Sequence, residues 1–306
     1  MGQVTTTTVG IVFISKFEML IFSSFFAFLF GLIIGSFLNV LVFRFNKKEN
    51  FSFWQSIQGR SKCPYCHHQL KWFELIPLLS FFFLKGRCRY CRKPISYQYP
   101  LVELFSGILS LVVFLRIFYF FPYFSFWQIL SLFLTFLFFF FILFLLSLLD
   151  LKTYLIPKQI VDFLLLWGVF FNLFYTFKLI SLRPDFLGYF NYLFFRFDIP
   201  FLDALLGALV VAGFCYLLAK ISQEKALGFG DVKVFFALSF LFPWPEIFFI
   251  FVLSFILGGI YAFFALLFLK KTRKSKVPFL PFIFLASLLF FSLSSRFLSF
   301  YSHLFF

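Results

Sequence analysis

Four cysteines and two aspartates are the residues of this sequence whose types and spacing could do chemistry. Cys63-Pro64-Tyr65-Cys66 and Cys88-Arg89-Tyr90-Cys91 form two CxxC pairs with 21 residues between them. A CxxC turn brings two sulfurs to one side of a tight loop, and two such turns supply a tetrahedral ligand set. The chemistry expected is a closed, structural Zn2+ site, because four thiolates leave no open position for a substrate. The alternatives are two disulfides or four free thiols, and a reducing cytoplasm disfavours disulfides. His67 and His68 follow Cys66 directly and could replace one thiolate. The fifth cysteine, Cys215, stands alone in an apolar run and reads as a small packing residue.

Acidic residues are rare, 12 in 306, so each is informative. Asp150 ends an apolar run at Leu148-Leu149-Asp150-Leu151-Lys152, and Asp231 sits in Gly228-Phe229-Gly230-Asp231-Val232-Lys233. Two facing carboxylates can share one proton, which supplies an acid and a base for the attack of water on a peptide bond. Gly228 and Gly230 would let the backbone beside Asp231 approach a partner or substrate closely. The plainer alternatives are a solvated charge at a helix end for Asp150 and a glycine-rich turn with a chance acid for Asp231. Glu103 is a weaker candidate. Asp162 and Asp203 read as groups that pair with a nearby basic residue or face water.

The elements that must position these groups are apolar helices. The chain is 62% hydrophobic and 13% charged, with 63 phenylalanines. Soluble domains run at roughly 45–50% apolar and about 25% charged. The phenylalanines read as interchangeable lipid-facing bulk. The uncharged runs 19–43, 126–149 and 247–269 each exceed the roughly 20 residues that cross the hydrocarbon core as a helix. The first run is too long, and its left flank too weakly basic, for a cleaved signal peptide. Eight spans are expected, over about 19–43, 98–121, 126–149, 159–178, 201–219, 230–249, 247–269 and 277–296, the sixth and seventh abutting near Pro243-Trp244-Pro245-Glu246.

Of the 27 Lys and Arg residues, 21 fall in the alternate connections 44–97, 150–158, 220–233 and 270–276. The positive-inside rule puts those connections in the cytoplasm and both termini outside. The net charge of +15 then reflects orientation and contact with anionic membrane lipid, and no nucleic-acid partner is expected. Asp150 and Asp231 fall at the same cytoplasmic boundary. Asp231 lies in or at the membrane, where ionisable residues are costly and so are functional candidates. The expected organisation is an N-terminal tail and first helix (1–43), a cytoplasmic zinc-binding loop (44–97) and a transmembrane region of about seven helices (98–306). The loop is too small to bury much core, so metal would supply much of its folding free energy. The fold class is an all-α polytopic membrane protein with a small zinc-binding loop domain.

At these residues the chain resembles the type IV prepilin peptidases, bifunctional leader peptidase/N-methyltransferases of type IV pilus and type II secretion systems. The resemblance runs from about residue 27 to 285. It rests on Gly35-Ser36-Phe37-Leu38-Asn39-Val40 with Phe43-Arg44, on the paired CxxC motifs, and on Ile76-Pro77-Leu78-Leu79-Ser80. It rests also on Lys85-Gly86-Arg87-Cys88-Arg89, on Tyr99-Pro100-Leu101-Val102-Glu103, on Asp150-Leu151 with Ile156-Pro157, and on the GxGDxK motif at 228–233. The resemblance implies Asp150 and Asp231 as the catalytic aspartates, with Gly228, Gly230 and Lys233 as motif support and Cys63, Cys66, Cys88 and Cys91 as zinc ligands. It implies removal of a short basic leader from prepilins or pseudopilins, just after a glycine, at the cytoplasmic face of the inner membrane. It implies N-methylation of the new terminus with S-adenosylmethionine, for which no glycine-rich nucleotide loop is visible. Lys158 stands where the family often has Asp or Asn, Gln98 where Arg is usual, and Pro278-Phe279-Leu280-Pro281 in place of PFGP. None of these departures removes a catalytic carboxylate. A secretion scaffold whose loop docks cytoplasmic partners, and an ion-coupled transporter using Asp150 and Asp231 as proton carriers, are the competing classes. Transporters often carry inverted repeats, and none is obvious here.

Overall fold

Small residues determine where the first helices meet. In the computed structural model, which describes residues 4–45, 59–120, 125–176, 199–225, 227–268 and 276–305, helix α1 runs Val4–Arg44. It extends well before the span expected from residue 19. A short 3-10 turn, Trp72–Leu75, and helix α2, Leu79–Phe83, follow in the polar loop; α3 spans Gln98–Phe120. Gly31 and Gly35 of α1 lie against Ser106, Gly107 and Glu103 of α3, the small-xxx-small arrangement that lets two backbones approach. Ser110 donates to the Ala27 carbonyl at 2.6 Å, and Asn39 donates to the Tyr99 carbonyl at 3.1 Å. Both bonds satisfy polar groups on buried helix faces.

The contact leaves no room for a side chain at Gly31. A Cβ there would collide with the Ser106 carbonyl oxygen, sit 2.6 Å from the Ser110 Cβ and 2.9 Å from the Gly107 Cα. Gly31→Ala should therefore destabilise the α1–α3 pair by about 1–3 kcal/mol or more. Gly213 provides the control, because a methyl group there would meet no atom within 4 Å. Gly213→Ala should be neutral or stabilising by up to about 1 kcal/mol, through lost unfolded-chain entropy. Thermal unfolding in detergent measures both.

The remaining helices are α4 (Phe126–Thr153), α5 (Lys158–Thr176), α6 (Pro200–Gly207), α7 (Gly213–Ile221), α8 (Phe229–Leu241), α9 (Glu246–Phe268) and α10 (Leu280–Phe305). A π-helical turn, Ala208–Ala212, joins α6 to α7 as one continuous rod. No strand occurs among the described residues, only two isolated bridges, Lys62–Gln69 and Arg87–Pro94.

The chain divides into two compact units, Met1–Leu137 and Phe138–Phe306. In the second, a phenylalanine core forms around α4, with Phe140 5.3 Å from Phe291 and 6.4 Å from Phe242, and Phe144 5.3 Å from Phe284, measured between ring centres. Tilted and edge-on rings fill space that aliphatic chains would otherwise have to fill.

Five helices are long and apolar enough to cross a membrane: Leu20–Arg44, Gln98–Tyr119, Phe126–Thr153, Phe201–Ile221 and Glu246–Phe268. Leu280–Leu293 is a shorter apolar helix. Helix α8 has 13 residues and stops at Leu241, two residues before Pro243, so it is shorter than the expected sixth span over 230–249. Asn172 of α5 donates to the Phe240 carbonyl at 3.0 Å, satisfying one end group of this short helix inside the unit. The expected connections at 179–198 and 270–274 lie outside the described residues.

Candidate functional sites: a cysteine cluster and a carboxylate pair

The two knuckles in the first unit are built to one plan. The Cys63 N–H donates to the His68 carbonyl at 3.0 Å, and the Cys88 N–H to the Lys93 carbonyl at 2.9 Å. The His67 N–H returns to Cys63 and the Arg92 N–H to Cys88. His67 and Arg92 both take left-handed backbone angles, φ 57° and 56°, which close each turn. The side chains then cross over. Tyr65 of the first knuckle faces the Lys93 ammonium of the second at 4.7 Å, while Tyr90 of the second meets His68 of the first with ring centres 3.6 Å apart and planes tilted by 35°. The repeat of C-x-Y-C is visible in the sequence as spacing; its cross-pairing is not.

The four sulfurs lie within 4.8 Å of one another, and Cys63 Sγ is 3.8 Å from Cys91 Sγ. Zn–S bonds of about 2.3 Å in a tetrahedron place sulfurs about 3.8 Å apart, so the cluster has the size of a zinc site. Among the described residues this is the one such group of ligand side chains, and His68 is occupied with Tyr90 instead of joining it. Cys63 and Cys88 are buried and Cys66 is exposed. Burial holds the Cys63 thiol up, but backbone N–H groups of Cys66 and Tyr65, with the Cys66 and Cys88 thiols, bring it down to about 7. At Cys66 the His68 N–H favours the thiolate, yet burial and the thiols of Cys63, Cys91 and Cys88 push it up to about 11. Four crowded sulfurs cannot all ionise without a cation among them.

The same unit holds Glu103, which is buried and not solvated. Its Oε2 accepts the Leu78 N–H at 2.8 Å, and the Ser36 hydroxyl also donates to it. It thereby pins the loop residue Leu78, whose backbone is strained at φ 59°, ψ −51°.

The two aspartates both lie in the second unit, and both are buried. Asp150, in the last turn of α4, reaches the start of α10: its Oδ2 accepts the Leu280 N–H at 3.2 Å, and the Phe279 N–H donates to the same carboxylate. Asp231 occupies the third position of α8, and its Oδ2 accepts the Gly228 N–H at 3.3 Å. Each carboxylate thus sits at the positive end of a helix, Asp150 on a neighbouring helix and Asp231 on its own. Asp150 lies near enough for its charge to act on Asp231. The motif glycines have distinct jobs. A Cβ on Gly230 would meet Ile156 Cδ1 at 2.6 Å and its Cβ at 3.2 Å, so Gly230 admits the loop that leaves α4. A Cβ on Gly228 would sit 3.4 Å from Asp231 Oδ2, in ordinary contact, so Gly228 lies directly beside the carboxylate it caps. Lys233, two residues beyond Asp231 on α8, is exposed.

Asp162 is exposed, as expected. Asp203 is buried, so of the two expected states, pairing with a basic residue or facing water, the second is excluded; its carbonyl accepts the Trp244 N–H at 3.1 Å. Cys215 is buried in α7 and lies close enough to Asp231 to interact with its charge. Residues 278–281 stand out in the sequence only as a departure from a motif. That Phe279 and Leu280 donate to Asp150 carries no sequence signal, because 130 residues separate Leu280 from its partner.

A family model described as the bacterial peptidase A24 N-terminal domain matches residues 29–117, and one described as the type IV leader peptidase family matches residues 137–263. The first match covers the cysteine cluster and the second both aspartates, in step with the two compact units. Among curated proteins, the chain is 31% identical over 284 residues to a prepilin leader peptidase/N-methyltransferase of Aeromonas salmonicida, covering 85% of this chain and 87% of that protein. It is 30% identical over 287 residues to the protein of that name from Dichelobacter nodosus, covering 86% and 88%. A shorter stretch of 84 residues is 49% identical to the Myxococcus xanthus protein, covering 28% and 24%. No solved structure matches the chain.

Proposed function

This chain belongs to the prepilin leader peptidase/N-methyltransferase family, and we propose that Asp150 and Asp231 are its catalytic pair for removing the leader from type IV prepilins or pseudopilins. The observation that carries this reading is the placement of two buried carboxylates in one unit, each held by backbone N–H at a helix start, with Asp150 near enough for its charge to act on Asp231. One carboxylate accepts a proton from water as its oxygen attacks the scissile carbonyl carbon. The other donates a proton toward the departing amine. The C–N bond breaks, and one proton remains on the pair. Preorganised N–H donors keep both side chains in place through the cycle.

The enzyme is a multi-pass protein of the inner membrane. In the proposed arrangement the chain divides into 1–43, 44–97 and 98–306, with eight spans, the loop and both aspartates at the cytoplasmic face, and the termini outside. A thiol probe placed within 185–198 should react from outside the cell, and one within 272–275 only from inside; both stretches lie outside the described residues. Outside labelling at 272–275 would mean that the sixth span does not cross.

Cys63, Cys66, Cys88 and Cys91 are the residues that would hold Zn2+. The ion would supply cross-linking of the loop and would leave no position open for a substrate. S-adenosylmethionine is the methyl donor that family membership implies. No glycine-rich turn for its nucleotide portion occurs among the described residues, so methyl transfer rests on that membership alone. Mass spectrometry of a co-expressed prepilin tests the function directly. Loss of the leader together with a methyl group on the new terminus is the expected result; an intact leader would overturn it.

A further inference from the structure

We propose that the outward face of α2, formed by Leu79, Phe82 and Phe83, is seated in the headgroup zone of the cytoplasmic leaflet and held there by Lys85 and Arg87 against anionic lipid. Leu79, Phe82 and Phe83 recur at i, i+3 and i+4, so they share one face of the helix. Phe82, Phe83 and Tyr97 are 71, 82 and 74% exposed, more than a water-facing surface normally grants to neighbouring aromatics. The opposite side of α2 is used internally. Phe81 packs on Tyr97 at 5.6 Å between ring centres and closes over Gly86, whose φ of 67° turns the chain sharply back.

Two contacts fix the height of this helix. Leu78, immediately before α2, is hydrogen-bonded to Glu103, and Phe81 meets Tyr97. Glu103 lies five residues inside the spanning segment Gln98–Tyr119, about 7–8 Å along the helix axis. An interfacial helix buries its apolar face by a similar depth, roughly 5–10 Å. Helix α2 is therefore tied to the first turns of a spanning helix and cannot stand clear of the membrane. The span itself is apolar outward from its first turn, with Leu101, Leu104 and Ile108 exposed along one face of α3.

Charge selects the lipid. Residues 59–97 contain eight Lys and Arg and one acid, Glu74, which is buried with its Oε2 on the Lys71 N–H. Lys85 and Arg87 are exposed at the end of α2. Tyrosine and phenylalanine at the boundary, flanked by cations, form the side-chain set that favours an anionic interface. This surface is independent of the catalytic assignment, and its test does not read cleavage.

The experiment uses the full chain with Phe83→acridonylalanine, reconstituted in phosphatidylcholine vesicles with and without phosphatidylglycerol. Zinc content is measured on each sample to report the folded loop. The expected result is a roughly two-fold emission loss with lipids brominated high on the acyl chain, a smaller loss with deep bromines, and shielding from aqueous iodide. Phosphatidylglycerol should increase the shielding, and Lys85→Gln with Arg87→Gln should cancel that increase. Free quenching by iodide would put the face in water and overturn the proposal. Shielding from both iodide and bromolipid would mean that a second copy or another protein covers it, and would overturn it equally. The absence of any phosphatidylglycerol effect would remove the anionic-lipid part. Phe82→acridonylalanine replaces the Phe83 variant if the latter loses its zinc.

Discussion

Asp150→Asn and Asp231→Asn should each abolish leader cleavage, with losses on the order of 10⁴-fold, and the double variant should be no worse than either single one. The reason is that the pair works as a unit: one carboxylate without its partner supplies an acid or a base, not both. The substitutions separate chemistry from structure cleanly. An asparagine carbonyl at 150 can still accept the Leu280 N–H, and one at 231 can still accept the Gly228 N–H. Both helix starts keep their caps, so folding and metal content should stay near normal. Exposed Asp162→Asn should retain most activity. Asp203→Asn should also cleave, although its burial makes some loss of stability expected. Cleavage of a prepilin standard, followed by mass, measures the series. A single-aspartate variant cutting at near wild-type rate would remove that residue from the mechanism. Chelators should leave cleavage intact in the folded enzyme, because carboxylates activate the water.

Loss of the metal is the second large effect. Purified protein should carry about one Zn2+ per chain. Cys63→Ser and Cys88→Ser should each lose it, since three sulfurs spaced for a tetrahedron hold the ion far less well than four. His68→Ala should keep it, because His68 spends its ring on Tyr90 and not on the sulfur cluster. The ligands bind as thiolates, so protons compete with the ion. With the Cys63 thiol at about 7 and Cys66 at about 11 in the metal-free cluster, zinc binding must displace protons at neutral pH. Apparent affinity should therefore rise with pH across the neutral range, and fall more steeply once pH drops below about 7, where Cys63 also takes up its proton. Elemental analysis of the variants, and zinc competition measured across pH, check these outcomes. Full occupancy in both cysteine variants would sink the site.

The residue types and their spacing determined a great deal by themselves. Two CxxC pairs 21 residues apart announced a four-sulfur site, because ligand identity and loop length are local properties. Uncharged runs announced membrane helices, because the cost of a charge in hydrocarbon acts residue by residue. Rare acids, Asp150 at the end of an apolar run and Asp231 between glycines and a lysine, announced the carboxylate pair, because at those positions a carboxylate is expensive to keep. Other features required the tertiary structure. Asp150 is held by backbone N–H groups about 130 residues away, and backbone donors carry no side-chain signature. Gly230 is small because of Ile156, and Gly31 because of Ser106, contacts set by how helices cross and not by either motif alone. Helix α8 is short because the chain turns after Leu241 while Asn172 satisfies its end, so hydropathy over 230–249 overstated its length. Glu103 and Asp203 are buried for the same reason: a neighbouring segment covers them, and burial is a property of the assembled fold.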